Sequence, residues 1–160
     1  MHKTRIELSE KVRRKVATLL SARLADAIDL ALQLKQAHWN VKGPSFIALH
    51  ELFDAIHGVV ESQVDDLAER LTALGGVAEG TVQAVARRTA LPAYPLAIRD
   101  GHAHLEALAR VLATFGGLTL AAIGAAGAAG DEVTADLFNE ITGEIDKQLW
   151  FIEAHLQAAS

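Results

Sequence analysis

Apolar residues recur at steps of three and four along most of this chain, the period of a helix with one buried face, and nowhere alternate as along a half-buried strand. From a capping Ser9, with Glu10 in the first turn, the series Val12, Val16, Leu20, Leu24, Ile28 and Leu34 predicts a long helix reaching about His38. Residues 40–44, ending in Gly43-Pro44, break it. Ser45 is placed to cap a second helix with Phe46, Leu49, Phe53, Ile56, Val60, Val64, Leu67, Leu71 and Leu74 as its apolar stripe, and Gly75-Gly76 is its natural stop. The next connection, residues 77–95, is too long for a tight turn between antiparallel neighbours. Its middle, GTVQAVARR, has enough periodicity for a short helix, while LPAYP must be extended. A third long helix starts near Ile98 or Asp100 and carries Leu105, Leu108, Leu112 and Phe115 inward. Gly130-Asp131 opens a fourth, with Val133, Leu137, Ile141, Ile145, Leu149 and Ile152 as its inner face. The predicted fold is all-α: a four-helix bundle over residues 9–160, with a short extra helix in the long crossover between the second and third helices, preceded by an arm at residues 1–8.

Composition narrows the chemistry. A chain of 160 residues that is 51% apolar and 22% charged suits one well-packed domain. With no cysteine, neither a disulfide framework nor a thiolate metal site is available, so any metal must be held by histidine, carboxylate or water. The start, MHKTRIELSEK, lacks the apolar core of a secretory signal, and the expected location is the cytoplasm. Residues 111–130 are uncharged for about the length that spans a bilayer. They are built largely of alanine and glycine, without the leucine density or aromatic flanks of a spanning helix, and the expectation is a buried bundle helix and no membrane.

The candidate chemistry is concentrated between His38 and Glu69. His50 and Asp54 are four apart on the second helix, as are Asp65 and Glu69, so each pair occupies neighbouring turns of one face. His50 and Glu69 lie equally far from the Val59–Val60 midpoint, and so do Asp54 and Asp65. Two copies of this helix antiparallel about a two-fold axis there would therefore set His50 opposite Glu69 and Asp54 opposite Asp65, giving two identical sites roughly 20 Å apart. Gly58, beside the crossing point, permits close backbone approach. With His38 at the end of the first helix, the set offers two imidazoles and three carboxylates, ligands suited to Fe(II) or Mn(II). A di-iron centre inside one bundle would need Glu-x-x-His pairs. None occurs; the nearest approach is Asp54-Ala-Ile-His57.

The stretch HWNVKGPSFIALHELFDAIHGVVESQVDDLAERLTALGG resembles the central signature of the Dps family, the mini-ferritins of the ferritin-like superfamily, and DKQLWFIEAHL resembles that family's ending. The resemblance implies a hollow shell of twelve subunits, built from two-fold dimers, in which ferrous iron is oxidised, preferentially by hydrogen peroxide, and stored as ferric mineral against oxidative stress. Carried over by position, His38, His50 and Asp54 would come from one subunit and Asp65 and Glu69 from its partner, with iron as the metal and no organic cofactor. Trp39 matches the tryptophan beside the family's site, and packing is its other reading. His57, one turn beyond Asp54, is an accessory ligand or a polar contact at the dimer seam. Acidic residues at the start of the fourth helix line ion-entry pores in the family, which brings in Asp131, Asp136 and Glu140, although Asp131 also suits the helix dipole. His102, His104 and His155 have no partner at ligand spacing and receive no role.

The family's name invites a DNA reading that the charge supports weakly. A net charge of -5 repels a polyanion unless basic arms extend outward. Lys3 and Arg5 are few, and Lys11, Arg13, Arg14 and Lys15 are expected on the solvated face of the first helix. An architectural DNA-compacting protein with a vestigial metal site, associated with the nucleoid, is the alternative reading. A zinc or manganese store and a plain helical scaffold rank behind it.

Overall fold

The computed structural model describes residues 1–157; the last three residues of the expected domain lie outside the described residues. Its helices are α1 (Glu10–Asn40), α2 (Phe46–Ala73), α3 (Val82–Arg88), α4 (Gly101–Gly127) and α5 (Glu132–Leu156). Their starts are set locally. The side chains of Ser9, Thr81, Asp100 and Asp131 each accept a backbone N–H from the first turn that follows. Ser45 departs from the expectation, since its hydroxyl makes no such bond. The turn there closes instead through the Phe46 N–H on the Gly43 carbonyl at 3.1 Å, with Gly43 at φ +117°.

The long helices pair as two antiparallel hairpins, α1 with α2 and α4 with α5, and α1 meets α4 across the core. Leu20, Leu30, Leu34, Phe53, Ile56, Leu67, Leu108, Phe115, Phe138 and Ile145 are fully buried at the centre, whereas Phe46 and Val133, expected on inner faces, lie in the first turns of α2 and α5 and are exposed. The crossover must return the chain along the whole of α2, about 40 Å. Polar side chains of α1 pin it there. Asp26, fully buried against Arg23, accepts the Ala90 N–H at 2.7 Å, Asp29 accepts the Thr89 hydroxyl at 2.7 Å, and the Gln33 amide donates to the Pro92 carbonyl. The return ends beside the α1–α2 connection, where the Lys42 N–H donates to the Arg99 carbonyl at 3.0 Å. Gly101 then passes so close to Leu49 that a Cβ would fall 2.5 Å from its Cδ1. Helices α2 and α4 therefore start at the same end and run parallel.

Residues 1–8 form no helix but lie against the bundle, with Ile6 and Leu8 on the core. The His2 N–H donates to the Gly75 carbonyl at 2.7 Å, at a residue with φ +87° where a Cβ would sit 2.4 Å from the His2 oxygen. Arg13, expected on the solvated face, is buried. Its guanidinium donates to the carbonyls of Leu8, His2 and Leu74, tying this segment to the end of α2. The alanine- and glycine-rich run forms the second half of α4. By length and composition α4 could cross a membrane, yet it is a bundle helix, and its apolar window is 39% buried. Gly117, Leu120, Ala121 and Gly124 are exposed, so the run is less enclosed in one chain than its composition suggests.

Candidate metal centre

The five-residue connection between α1 and α2 brings His38, in the last turn of α1, beside His50, in the second turn of α2. Their rings stack with centroids 3.7 Å apart and planes 21° from parallel. Each ring donates its Nδ1–H to the other residue's backbone carbonyl, at 2.8 Å both ways. This reciprocal bonding fixes both tautomers and leaves both Nε2 lone pairs uncommitted, which is how metal-binding histidines are held when the other ring nitrogen is anchored to a carbonyl.

Asp54 lies one turn beyond His50. Its carboxylate accepts a hydrogen bond from Lys35 Nζ at 2.5 Å, across the α1–α2 hairpin. That bond, reinforced by the lysine's charge, holds the Asp54 carboxyl below its ordinary value, against the opposing effect of desolvation. His57, half-buried one turn further, adds a smaller pull in the same direction. Turned to Lys35, Asp54 does not close around the two imidazoles. Among the described residues no three histidine or acidic side chains are grouped as a metal site.

Asp65 and Glu69 are exposed further along α2. Eleven residues of helix separate Asp65 from Asp54, about 16 Å, too far for one ion to bridge. One chain thus brings His38 against His50, with Asp54 one turn further along α2 and held by Lys35, and leaves Asp65 and Glu69 apart from them. Nothing packs within 4 Å of the position a Cβ would take on Gly58, between the two clusters, so that backbone is open to a neighbour. Trp39 is 65% exposed on the surface next to His38.

The acidic group on α5 divides. Asp136 and Glu140 are exposed, and Glu140 lines a cavity of about 300 Å³ between α2 and α5 together with Asp66, Glu144 and Gln63. Asp131, expected with them, is instead 2% exposed. Arg70 donates to both of its oxygens at 2.8 and 3.0 Å, and the Thr134 N–H and hydroxyl donate as well. A carboxylate so enclosed caps α5 and clamps it to α2; it is not presented to a passing ion.

Two features escaped the sequence reading. Lys35 gave no local sign of meeting Asp54. His104 is 1% exposed, with Nδ1 2.5 Å from the Tyr94 hydroxyl. A signal for His104 was present, because it falls in phase with Leu108, Val111 and Phe115 on the inner face of α4.

A family model described as a ferritin-like domain matches residues 17–160. The chain is 45% identical over 159 residues to a DNA protection during starvation protein of Agrobacterium fabrum, an alignment covering 99% of this chain and 98% of that one. Among solved structures it is similar to the tetragonal form of Mycobacterium smegmatis Dps, with TM-score 0.94 and 36% identity over 99% of this chain and 96% of the other. It is also similar to DpsA14 from Streptomyces coelicolor, with TM-score 0.93 and 37% identity over 98% and 92% of the two chains.

Proposed function

Because the chain belongs to the Dps family of ferritin-like proteins, the mini-ferritins, we propose that it is a cytoplasmic ferroxidase that oxidises ferrous iron, preferentially with hydrogen peroxide, and stores the ferric product inside a hollow homododecamer. The observation that carries this reading is the reciprocal lock of His38 and His50, which leaves two Nε2 atoms uncommitted one helical turn from Asp54. Ferrous ions are substrates here. His38, His50 and Asp54 supply one half of their binding site, and Asp65 and Glu69 of the partner subunit supply the other, across a two-fold axis near Val59 and Val60. The even spacing of the two clusters about that point and the open backbone at Gly58 support this pairing.

The residues act mainly by placement and charge. Imidazole and carboxylate oxygen suit a hard divalent ion and leave coordination positions open to an oxidant. Two ferrous ions each give one electron to one peroxide, which takes up two protons and leaves as two waters. Since both electrons transfer together, no hydroxyl radical is released. Lys35 neutralises Asp54 until iron displaces it. Asp136 and Glu140, exposed on α5, are the proposed ion-entry carboxylates, and Trp39 and His57 are proposed to lie beside the site. The test is to mix the purified protein with ferrous salt and peroxide. Oxidation no faster than in buffer would remove the proposal.

Contact with DNA is the second reading, favoured by the relative's name. Two of the four basic residues early in α1 are already committed, Arg13 to backbone carbonyls and Arg14 to Glu10. Consuming iron and peroxide protects DNA without touching it. A salt-sensitive gel shift by protein that does not oxidise iron would reverse this preference.

A further inference from the structure

Tyr94 and His104 form a polar pair that the iron chemistry above does not use. His104 sits on the inner face of α4, and Phe53 lies near it with ring centroids 6.5 Å apart. Its Nδ1 meets the Tyr94 hydroxyl at 2.5 Å, at the short end for a hydrogen bond. The nearby Asn40 backbone carbonyl favours the protonated form of the ring, while Nε2 itself has no hydrogen-bond partner among the described residues. A phenol donates far better than it accepts and a bare imidazole nitrogen is the stronger acceptor, so in this short contact the phenol donates to the Nδ1 lone pair and the ring proton sits on Nε2. Burial pushes the Tyr94 phenol above its ordinary range and the His104 imidazole below its own, so the resting pair is neutral.

A phenol that resists becoming phenolate can give up an electron only if its proton leaves in the same event. The acceptor for that proton is already in contact. We propose that Tyr94 and His104 act together as a one-electron donor that quenches strong one-electron oxidants such as hydroxyl radical. In the step, the phenol passes one electron to the oxidant and its proton to His104 Nδ1. Hydroxyl radical becomes hydroxide, and a neutral tyrosyl radical and an imidazolium remain. The nearby Asp100 carboxylate and the Asn40 carbonyl both favour that imidazolium in its buried site. A one-electron reductant then restores the phenol as the proton returns from Nδ1. Tyr94 is only half-buried, and its ring lines a cavity of about 310 Å³ with Gln33, Glu106 and Arg110, so a small reductant can reach its edge. The inference goes beyond the iron reading, since it concerns one-electron oxidants that arise outside the two-electron reaction, and its test needs no iron.

Tyr94 is the single tyrosine in the chain, so a tyrosyl signal has one source. The full-length protein is photo-oxidised with ruthenium tris-bipyridyl and persulfate and followed by electron paramagnetic resonance. The expected result is a neutral tyrosyl radical whose spectrum narrows when ring-deuterated tyrosine is incorporated and whose formation slows in deuterium oxide. His104→Gln, with helicity checked by circular dichroism, should slow its formation about a hundredfold, the scale of a positioned base. Radical confined to Trp39 and Trp150 would overturn the proposal, as would an unchanged rate in His104→Gln. Should that variant fail to fold, the solvent isotope effect in the unaltered protein decides: its absence overturns the proposal and its presence supports it.

Discussion

Replacing His38, His50 or both with alanine separates two contributions that the lock at the metal centre combines. Each ring donates to a backbone carbonyl, so His38→Ala leaves the acceptor for His50 Nδ1 in place, and the reverse holds for His50→Ala. What each single variant loses is its own hydrogen bond, about 1 kcal/mol net, and the stacked contact at 3.7 Å, also about 1 kcal/mol. Each single change should therefore destabilise by about 2 kcal/mol. The double change loses both bonds but only one stack, about 3 kcal/mol, so the coupling between the two sites is about 1 kcal/mol and belongs to the stack alone. In a chain of this size that is a fall in Tm of roughly 4–8 °C for each single variant and 6–12 °C for the double. Thermal unfolding monitored by circular dichroism measures the cycle, and nitrogen-detected NMR of His50 in His38→Ala shows whether Nδ1 keeps its proton and its bond. A double variant no worse than either single one, or an His50 ring released in His38→Ala, would refute the account of the lock. Iron oxidation should be lost in all three variants, because each removes a ligand atom that the remaining ring cannot replace.

Asp65→Asn combined with Glu69→Gln should abolish peroxide-driven iron oxidation while leaving Tm within about 2 °C, since both side chains are exposed; a variant that retains activity breaks the shared-site reading. Lys35→Met should tighten ferrous binding in isothermal titration, because iron no longer has to displace the ammonium from Asp54. The Asp54 pKa is depressed in the fold, so the stability this pair contributes is present above the ordinary carboxyl value of 3.8 and is lost as pH falls through the depressed one. The Tm difference between Lys35→Met and the unaltered chain should accordingly shrink on acidification, and a difference that grows instead would contradict the assignment. Arg70→Met leaves the Asp131 carboxylate buried without its cation and should cost about 3–5 kcal/mol, read as a lowered denaturant midpoint. A near-neutral effect would mean that Thr134 alone satisfies Asp131.

The long helices could be read from the chain because their causes are local. Ser9, Asp100 and Asp131 cap from within four residues, Gly75 adopts a positive φ that stops a helix, and the inner stripes follow the 3.6-residue repeat. The matching intervals of His50 with Asp54 and Asp65 with Glu69 were legible for the same reason, since a helix converts spacing in sequence directly into spacing in space. The short α3 was visible, but its anchoring through Asp26, Asp29 and Gln33 was not, because those side chains reach partners about 60 residues away.

What the amino-acid pattern determined by itself was which segments are helical, which face of each turns inward, and which ligand types share a face. Only the tertiary structure decided how those faces meet. It turned Arg13 inward to cap α2, enclosed Asp131 under Arg70, set Lys35 on Asp54, and joined His38 to His50 and Tyr94 to His104. Each of these outcomes depends on the axial register and rotation of one element against another. Hydrophobic periodicity specifies a buried stripe only to within a turn or so, whereas a hydrogen bond is made or lost within a few tenths of an ångström.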